Sequence, residues 1–119
     1  MRQPTLFEKR RGQRAIDVER IVLYALGDFQ ARGKVLVQRE LPLDRLRGAL
    51  RRASEAHDVE ELSDDIAVAA LRMPGAVVRQ VPSFVAKHPF RVVVPNELAE
   101  HAQRAYREIL AGMKQTEET

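Results

Sequence analysis

Arg45, Arg47, Arg51 and Arg52 crowd one short stretch of the chain, and the guanidinium fork is the side chain best shaped to grip phosphate oxygens. On a helix, Arg45 and Arg52 are seven apart and Arg47 and Arg51 four apart, which sets two neighbouring rows on one exposed half. The same cations can instead pair with Glu55, Glu60 and Glu61, as charge runs commonly do. A second basic group surrounds the segment Pro82 to Pro89, which holds Lys87 and His88 with Arg79 and Arg91 on its flanks and Phe84 near its middle. It suits a phosphate-contacting loop, or Phe84 and Val85 fold onto the strands beside them. A third group, Lys9, Arg10, Arg11 and Arg14, follows the N-terminus and reads either as a basic arm or as a solubilising tail.

Residues for bond-making chemistry are sparse. His57 adjoins Asp58, but neighbours at a helix boundary point apart, and no serine or cysteine nucleophile accompanies them. Glu60, Glu61, Asp64 and Asp65 place Glu61 and Asp65 on one helical face, where acids more often serve as caps and dipole partners than as cation ligands. The histidines His57, His88 and His101 have no metal-ligand spacing, and there is no cysteine. The expectation is a non-enzymatic protein with no catalytic residue, no metal and no cofactor.

Leu6 and Phe7 pose a different problem. They are adjacent, apolar and flanked by Arg2, Glu8, Lys9, Arg10 and Arg11, so no local apolar face is available to bury both. Gln3 stands three residues before Leu6 with an amide that both donates and accepts, and Pro4 lowers the entropy of ordering the segment. Gln3-Pro4-Thr5-Leu6-Phe7 resembles the linear motif by which bacterial replication and repair proteins dock on the sliding clamp. Lys9 and Arg10 stand where the archaeal and eukaryotic form of the motif has aromatics. The resemblance implies a sliding clamp as partner, with Leu6 and Phe7 as anchors and Gln3 as orienter. Without it, the pair folds back on its own domain or covers a neighbouring subunit.

The chain has 119 residues, enough for one domain with a real core. Lys and Arg number 20 against 17 Asp and Glu, a formal charge of +3, so local segregation matters more than the sum. Residues 1–14 hold five basic groups and one acid, and the arginine-rich stretch near 45–52 precedes an acidic one beginning at Asp58. No signal-like or membrane-length apolar run is present, so a cytoplasmic protein without membrane contact is expected.

The elements that must position these groups follow from periodicity. Residues 1–15 read as a flexible arm, 16–113 as one domain and 114–119 as a frayed tail. Asp17 caps a first helix carrying Val18, Ile21, Val22, Ala25 and Phe29, stapled by Ile16 and Ile21 and ended by Gly33. Lys34 to Gln38 reads as a short strand with Val35 and Val37 facing one way, and Pro42 as a restart. A second helix buries Leu46, Ala49, Leu50 and Ala53. A third begins at Asp58, boxed by Glu61, and buries Val59, Leu62, Ile66, Ala69, Ala70 and Met73 up to Pro74-Gly75. Lone helix glycines at 27 and 48 mark close packing. Ala76 to Val81 and Phe90 to Val94 form a hairpin across the long loop. Asn96 caps a last helix with Leu98, Ala102, Ala105, Tyr106, Ile109 and Leu110 as its stripe up to Gly112. That stripe, within 96–112, either closes its own domain or supports a homodimer.

The order helix, strand, helix, helix, strand, strand, helix defines an α+β chain and resembles the winged-helix family. In that family a short strand after the first helix pairs with a C-terminal hairpin, whose loop touches DNA. The resemblance implies DNA as partner. Because the third helix opens with acids, contact is expected mainly with the backbone, through Arg10, Arg11, Arg14, Arg45, Arg47, Arg51, Arg52, Arg79, Lys87, His88 and Arg91. Three functions compete: a clamp-docked accessory of DNA replication or repair, a dimeric regulator of transcription, and a protein-interaction module without nucleic acid.

Overall fold

The computed structural model describes the backbone of residues 6–37, 39–82 and 89–118, and the side chains of 18–113 outside the two internal gaps. It contains α1 (Leu6–Ala31), β1 (Glu40–Pro42), α2 (Leu43–Ala56), α3 (Asp64–Arg72), β2 (Val77–Gln80), β3 (Phe90–Val93) and α4 (Asn96–Glu118). This is the α+β, winged-helix-like order expected from the sequence. The antiparallel sheet runs β1-β3-β2, so the strand after the first helix pairs with the hairpin.

α1 is the axle of the fold. Every residue from Ile21 to Phe29 is buried, and a helix that is apolar nearly all round must be surrounded. α4 packs along one side of it, with α2 and α3 on others. The stripe of Val18, Ile21, Val22, Ala25 and Phe29 is therefore only part of the buried surface, which also takes Leu23, Tyr24 and Leu26. Gly27 allows the closest approach: a Cβ there would lie 2.3 Å from Tyr106 Cβ and 2.7 Å from the Ala102 carbonyl. Gln30 fastens the same pair of helices, donating to the Ala99 carbonyl at 3.0 Å and accepting from Gln103 at 2.8 Å.

Three helices end in the same way. Gly33 (φ 82°), Asp58 (φ 56°) and Gly75 (φ 120°) each sit in left-handed backbone just past a helix. In each case that residue's N–H and the next one's reach back to carbonyls of the last turn: Gly33 to Gln30 and Lys34 to Phe29, Asp58 to Glu55 and Val59 to Ser54, Gly75 to Arg72 and Ala76 to Leu71. Asp58 is thus the terminator of α2 and not the cap of α3. The cap is Ser63, whose hydroxyl accepts from Ile66 N–H, with Asp64 and Asp65 in the first turn beside the positive end of the helix dipole.

That later start leaves Val59 and Leu62 outside α3, and the face phased on them is not the buried one. Ala67, Val68, Ala70 and Leu71 face the core, whereas Ile66, Ala69 and Met73, expected inside, are exposed. Leu62 is buried from the preceding loop, and Val59 is exposed. Other expectations shift less. The strand expected at Lys34 to Gln38 is displaced to Glu40–Pro42, leaving only a bridge from Val37 to Val94. Leu36 rather than its neighbours turns inward, and Val35 is exposed. Pro42 does restart the chain, as the residue before α2. The helix start expected at Asp17 falls inside α1, and α4 continues through Gly112.

Sheet register sorts the strand residues. Leu41, Val92 and Val78 lie side by side on the buried face. Pro42, Arg91 and Arg79 form one row of the outer face, and Glu40, Val93 and Val77 the next.

Candidate nucleic-acid interface

The arginines of α2 mostly turn to protein carboxylates. Arg47 donates to the Leu62 carbonyl at 2.7 Å and pairs with Asp64 and Glu61, tying α2 to the entry of α3. Arg51 faces Glu61 at 3.6 Å. Arg52 reaches Asp28 of α1 at 2.6 Å. The paired alternative holds for these three, although Asp28 and Asp64 were not among the carboxylates foreseen. Arg45 is exposed and has no ion-pair partner among the described residues.

Those pairs differ in how readily a phosphate could replace the carboxylate. Asp28 is a buried acid whose side chain is 6% exposed, so freeing Arg52 would strand a charge away from water. Arg47 is likewise largely covered and holds a buried carbonyl. Arg51 and Arg79 are both 62% exposed at the side chain, and their acids are also open to water. Ion pairs this open to water contribute little, so exchange of a carboxylate for a phosphate there costs little.

On the outer sheet face, Arg79 and Arg91 are directly opposed at the root of the β2–β3 loop. Arg79 donates to both oxygens of Glu40, at 3.1 and 2.8 Å. This fork holds the Glu40 carboxyl below its ordinary range and raises the Arg79 guanidinium in turn. Arg45 sits in the first turn of α2, just beyond Pro42, which pairs with Arg91. A small cleft of about 70 Å³ lies where the start of α2 meets the entries of α3 and β3, lined by Leu43, Asp44, Arg47, Asp64, Pro89 and Phe90. Lys87 and His88 lie outside the described residues, as does Gln3. Leu6 and Phe7 open α1, but their side chains and those of Arg10, Arg11 and Arg14 are outside the described set.

No protein-family model, no curated protein and no solved structure matches this chain. Its site must be read from its own chemistry.

Two of the four acids considered for a metal are engaged otherwise. Glu61 and Asp64 serve Arg47 and Arg51, and no group of three His, Asp or Glu able to hold a metal ion occurs among the described residues. His57 caps the end of α2, donating from Nδ1 to the Ala53 carbonyl while Nε2 accepts from Arg20. Its ring meets Tyr24 edge-on.

Sequence reading missed the Asp28 cluster. Arg32 and Arg52 both bond its carboxylate, and the rings of Tyr24 and Tyr106 meet edge-on at 4.9 Å beside it. Burial, and then the neighbouring Tyr106 and Asp28, push the Tyr24 phenol up, while burial followed by the Asp28 charge does the same to Tyr106. The available signal was a single acid inside the apolar run Ala25, Leu26, Phe29, with Arg32 four residues on. The α4 stripe offered for a homodimer at 96–112 is spent on α1 of the same chain. No helix among the described residues is long and apolar enough to cross a membrane.

Proposed function

We propose that this protein is a non-enzymatic, DNA-associated accessory of replication or repair that docks on a sliding clamp through Gln3, Leu6 and Phe7. The observation that carries the DNA half is the outer-face pair Arg79 and Arg91, opposed at the foot of the hairpin loop in a winged-helix-like fold; exposed Arg45, in the first turn of α2, has no ion-pair partner among the described residues. These cations suit successive phosphates, and the sequence adds Lys87 and His88 between the two strands. Base reading by α3 is not part of the proposal, because its first turn is acidic, Ile66 and Ala69 are exposed along it, and its one basic residue, Arg72, donates to the Val78 carbonyl.

The clamp half rests on Gln3-Pro4-Thr5-Leu6-Phe7, which stands ahead of the stretch of α1 buried from Ile21 to Phe29. Extended docking would unwind the first turn of α1, a modest demand because helix ends fray.

Fluorescence anisotropy with a labelled duplex at several salt concentrations tests the DNA half. Each phosphate contact contributes about 0.9 to the slope of log affinity on log salt, so Arg79→Ala with Arg91→Ala should lower it by roughly 2. Arg47→Ala should leave that slope unchanged. Equal slopes for all variants, or no binding at low salt, refute the interface. Calorimetry with a bacterial clamp tests the other half: Leu6→Ala with Phe7→Ala must abolish the heat seen for wild type.

A further inference from the structure

We infer that the exposed face of α3 is a docking surface for residues 6–14 of a second copy of this chain. α3 is short, yet Ile66 is 48% and Met73 58% exposed, and with Ala69 they stand at i, i+3 and i+7 on one arc of the helix. The opposite face supplies Ala67, Val68 and Leu71 to the core, so the outward stripe is not needed for folding. Val59, in the loop entering α3, is exposed as well.

Charge states the chemistry of the occupant. Arg47 and Arg51 neutralise Glu61 and Asp64, but Asp58, Glu60 and Asp65 are exposed and have no ion-pair partner among the described residues. Arg72 flanks the stripe with its guanidinium held by the Val78 carbonyl at 2.8 Å. The surface thus joins an apolar stripe to spare acids, and its complement is a segment joining apolar anchors to spare bases. Residues 6–14 have that composition: Leu6 and Phe7, then Lys9, Arg10, Arg11 and Arg14 against the single acid Glu8.

The chain's own copy cannot reach. α1 is continuous from Leu6 to Ala31, and the inner side of α3 packs on it, so the outward side of α3 faces away from its own α1. Exchange between two copies satisfies both surfaces twice and closes the assembly with two-fold symmetry. The contact area is small and rimmed with charge, which places it among weak, salt-sensitive associations. It does not rest on clamp docking, but both use Leu6 and Phe7, so a dimer and a clamp complex exclude each other.

Sedimentation equilibrium of the full chain, with no clamp or DNA present, tests this. Wild type should show reversible monomer–dimer exchange that weakens at least tenfold in dissociation constant when salt is raised. Ile66→Asp with Met73→Asp should leave a folded monomer, since both side chains are solvent-facing. Arg10→Glu with Arg11→Glu should also give a monomer, and adding Glu60→Lys with Asp65→Lys to that variant should restore the dimer. A wild type that stays monomeric, a dimer indifferent to the α3 substitutions, or charge reversal without rescue each overturns the inference. None of these results bears on calorimetry with a clamp, so the two readings fail separately.

Discussion

Gly27→Ala sets two effects of opposite sign against each other. In an unhindered helix interior the change removes backbone freedom from the unfolded chain and stabilises by up to about 1 kcal/mol. Here the new Cβ would meet Tyr106 Cβ at 2.3 Å and the Ala102 carbonyl oxygen at 2.7 Å. Neither atom is the far end of a flexible side chain, so α1 and α4 must move apart or Tyr106 must leave its place. Overpacking of this kind costs typically about 1–3 kcal/mol, and rigid neighbours put it at the upper end. The net expectation is a loss of about 2 kcal/mol in urea unfolding followed by circular dichroism. Gly112 is the internal control: it also lies in a helix, a Cβ there meets nothing within 4 Å, and Gly112→Ala should gain about 0.5–1 kcal/mol. With no tryptophan and two tyrosines, Tyr24 and Tyr106, tyrosine emission reports the strained contact itself. If Gly27→Ala matches or exceeds wild type while Gly112→Ala stabilises as stated, the close approach of α1 and α4 is wrong.

Asp58→Gly should stabilise by roughly 0.5–1 kcal/mol, because the left-handed position after α2 costs an L-residue what glycine does not pay; a loss in the same urea assay would mean the Asp58 side chain has a stabilising role there. Asp28→Asn should cost about 2–3 kcal/mol, less than for a fully buried pair because Arg32 and Arg52 are 52% and 36% exposed; a change under about 0.5 kcal/mol would contradict a structural role for the cluster. The raised phenols of Tyr24 and Tyr106 favour the neutral form in the fold, so their contribution is complete below pH 10 and is lost as pH climbs through the higher folded values. Tyrosinate absorbance should therefore rise together with unfolding, and early ionisation without loss of ellipticity would refute the burial.

Element order was legible because apolar periodicity and stop residues agreed at most boundaries. Gly33 and Pro74-Gly75 ended helices where expected, the α2 face of Leu46, Ala49, Leu50 and Ala53 is buried, and the hairpin strands are nearly in place. α3 was misread because Asp58 with Glu61 has the form of a capping box. In the structure, Asp58 takes a terminator's conformation that glycine usually fills, and the true cap Ser63 lies five positions later. The expected face was phased on Val59 and Leu62, which lie before the helix, and so it put Ile66, Ala69 and Met73 on the wrong side. At the interface, the types of residue were legible and their partners were not. Sequence placed Arg47 and Arg51 beside acids, but only the fold could bring Arg52 to Asp28, distant in the chain, and set Arg79 opposite Arg91.

α1 precedes the other described elements, and its enclosure is complete only once α4 packs on it. Its buried length from Ile21 to Phe29 needs α4, whose packing residues extend to Ile109, so during synthesis the helix with the longest buried run would wait for α4. No native core can close on a nascent chain that has reached only the hairpin, and premature release would expose the faces of Ile21, Leu26 and Phe29 together. Stop codons anywhere before α4 should thus yield material for proteolysis or aggregation rather than a smaller folded domain.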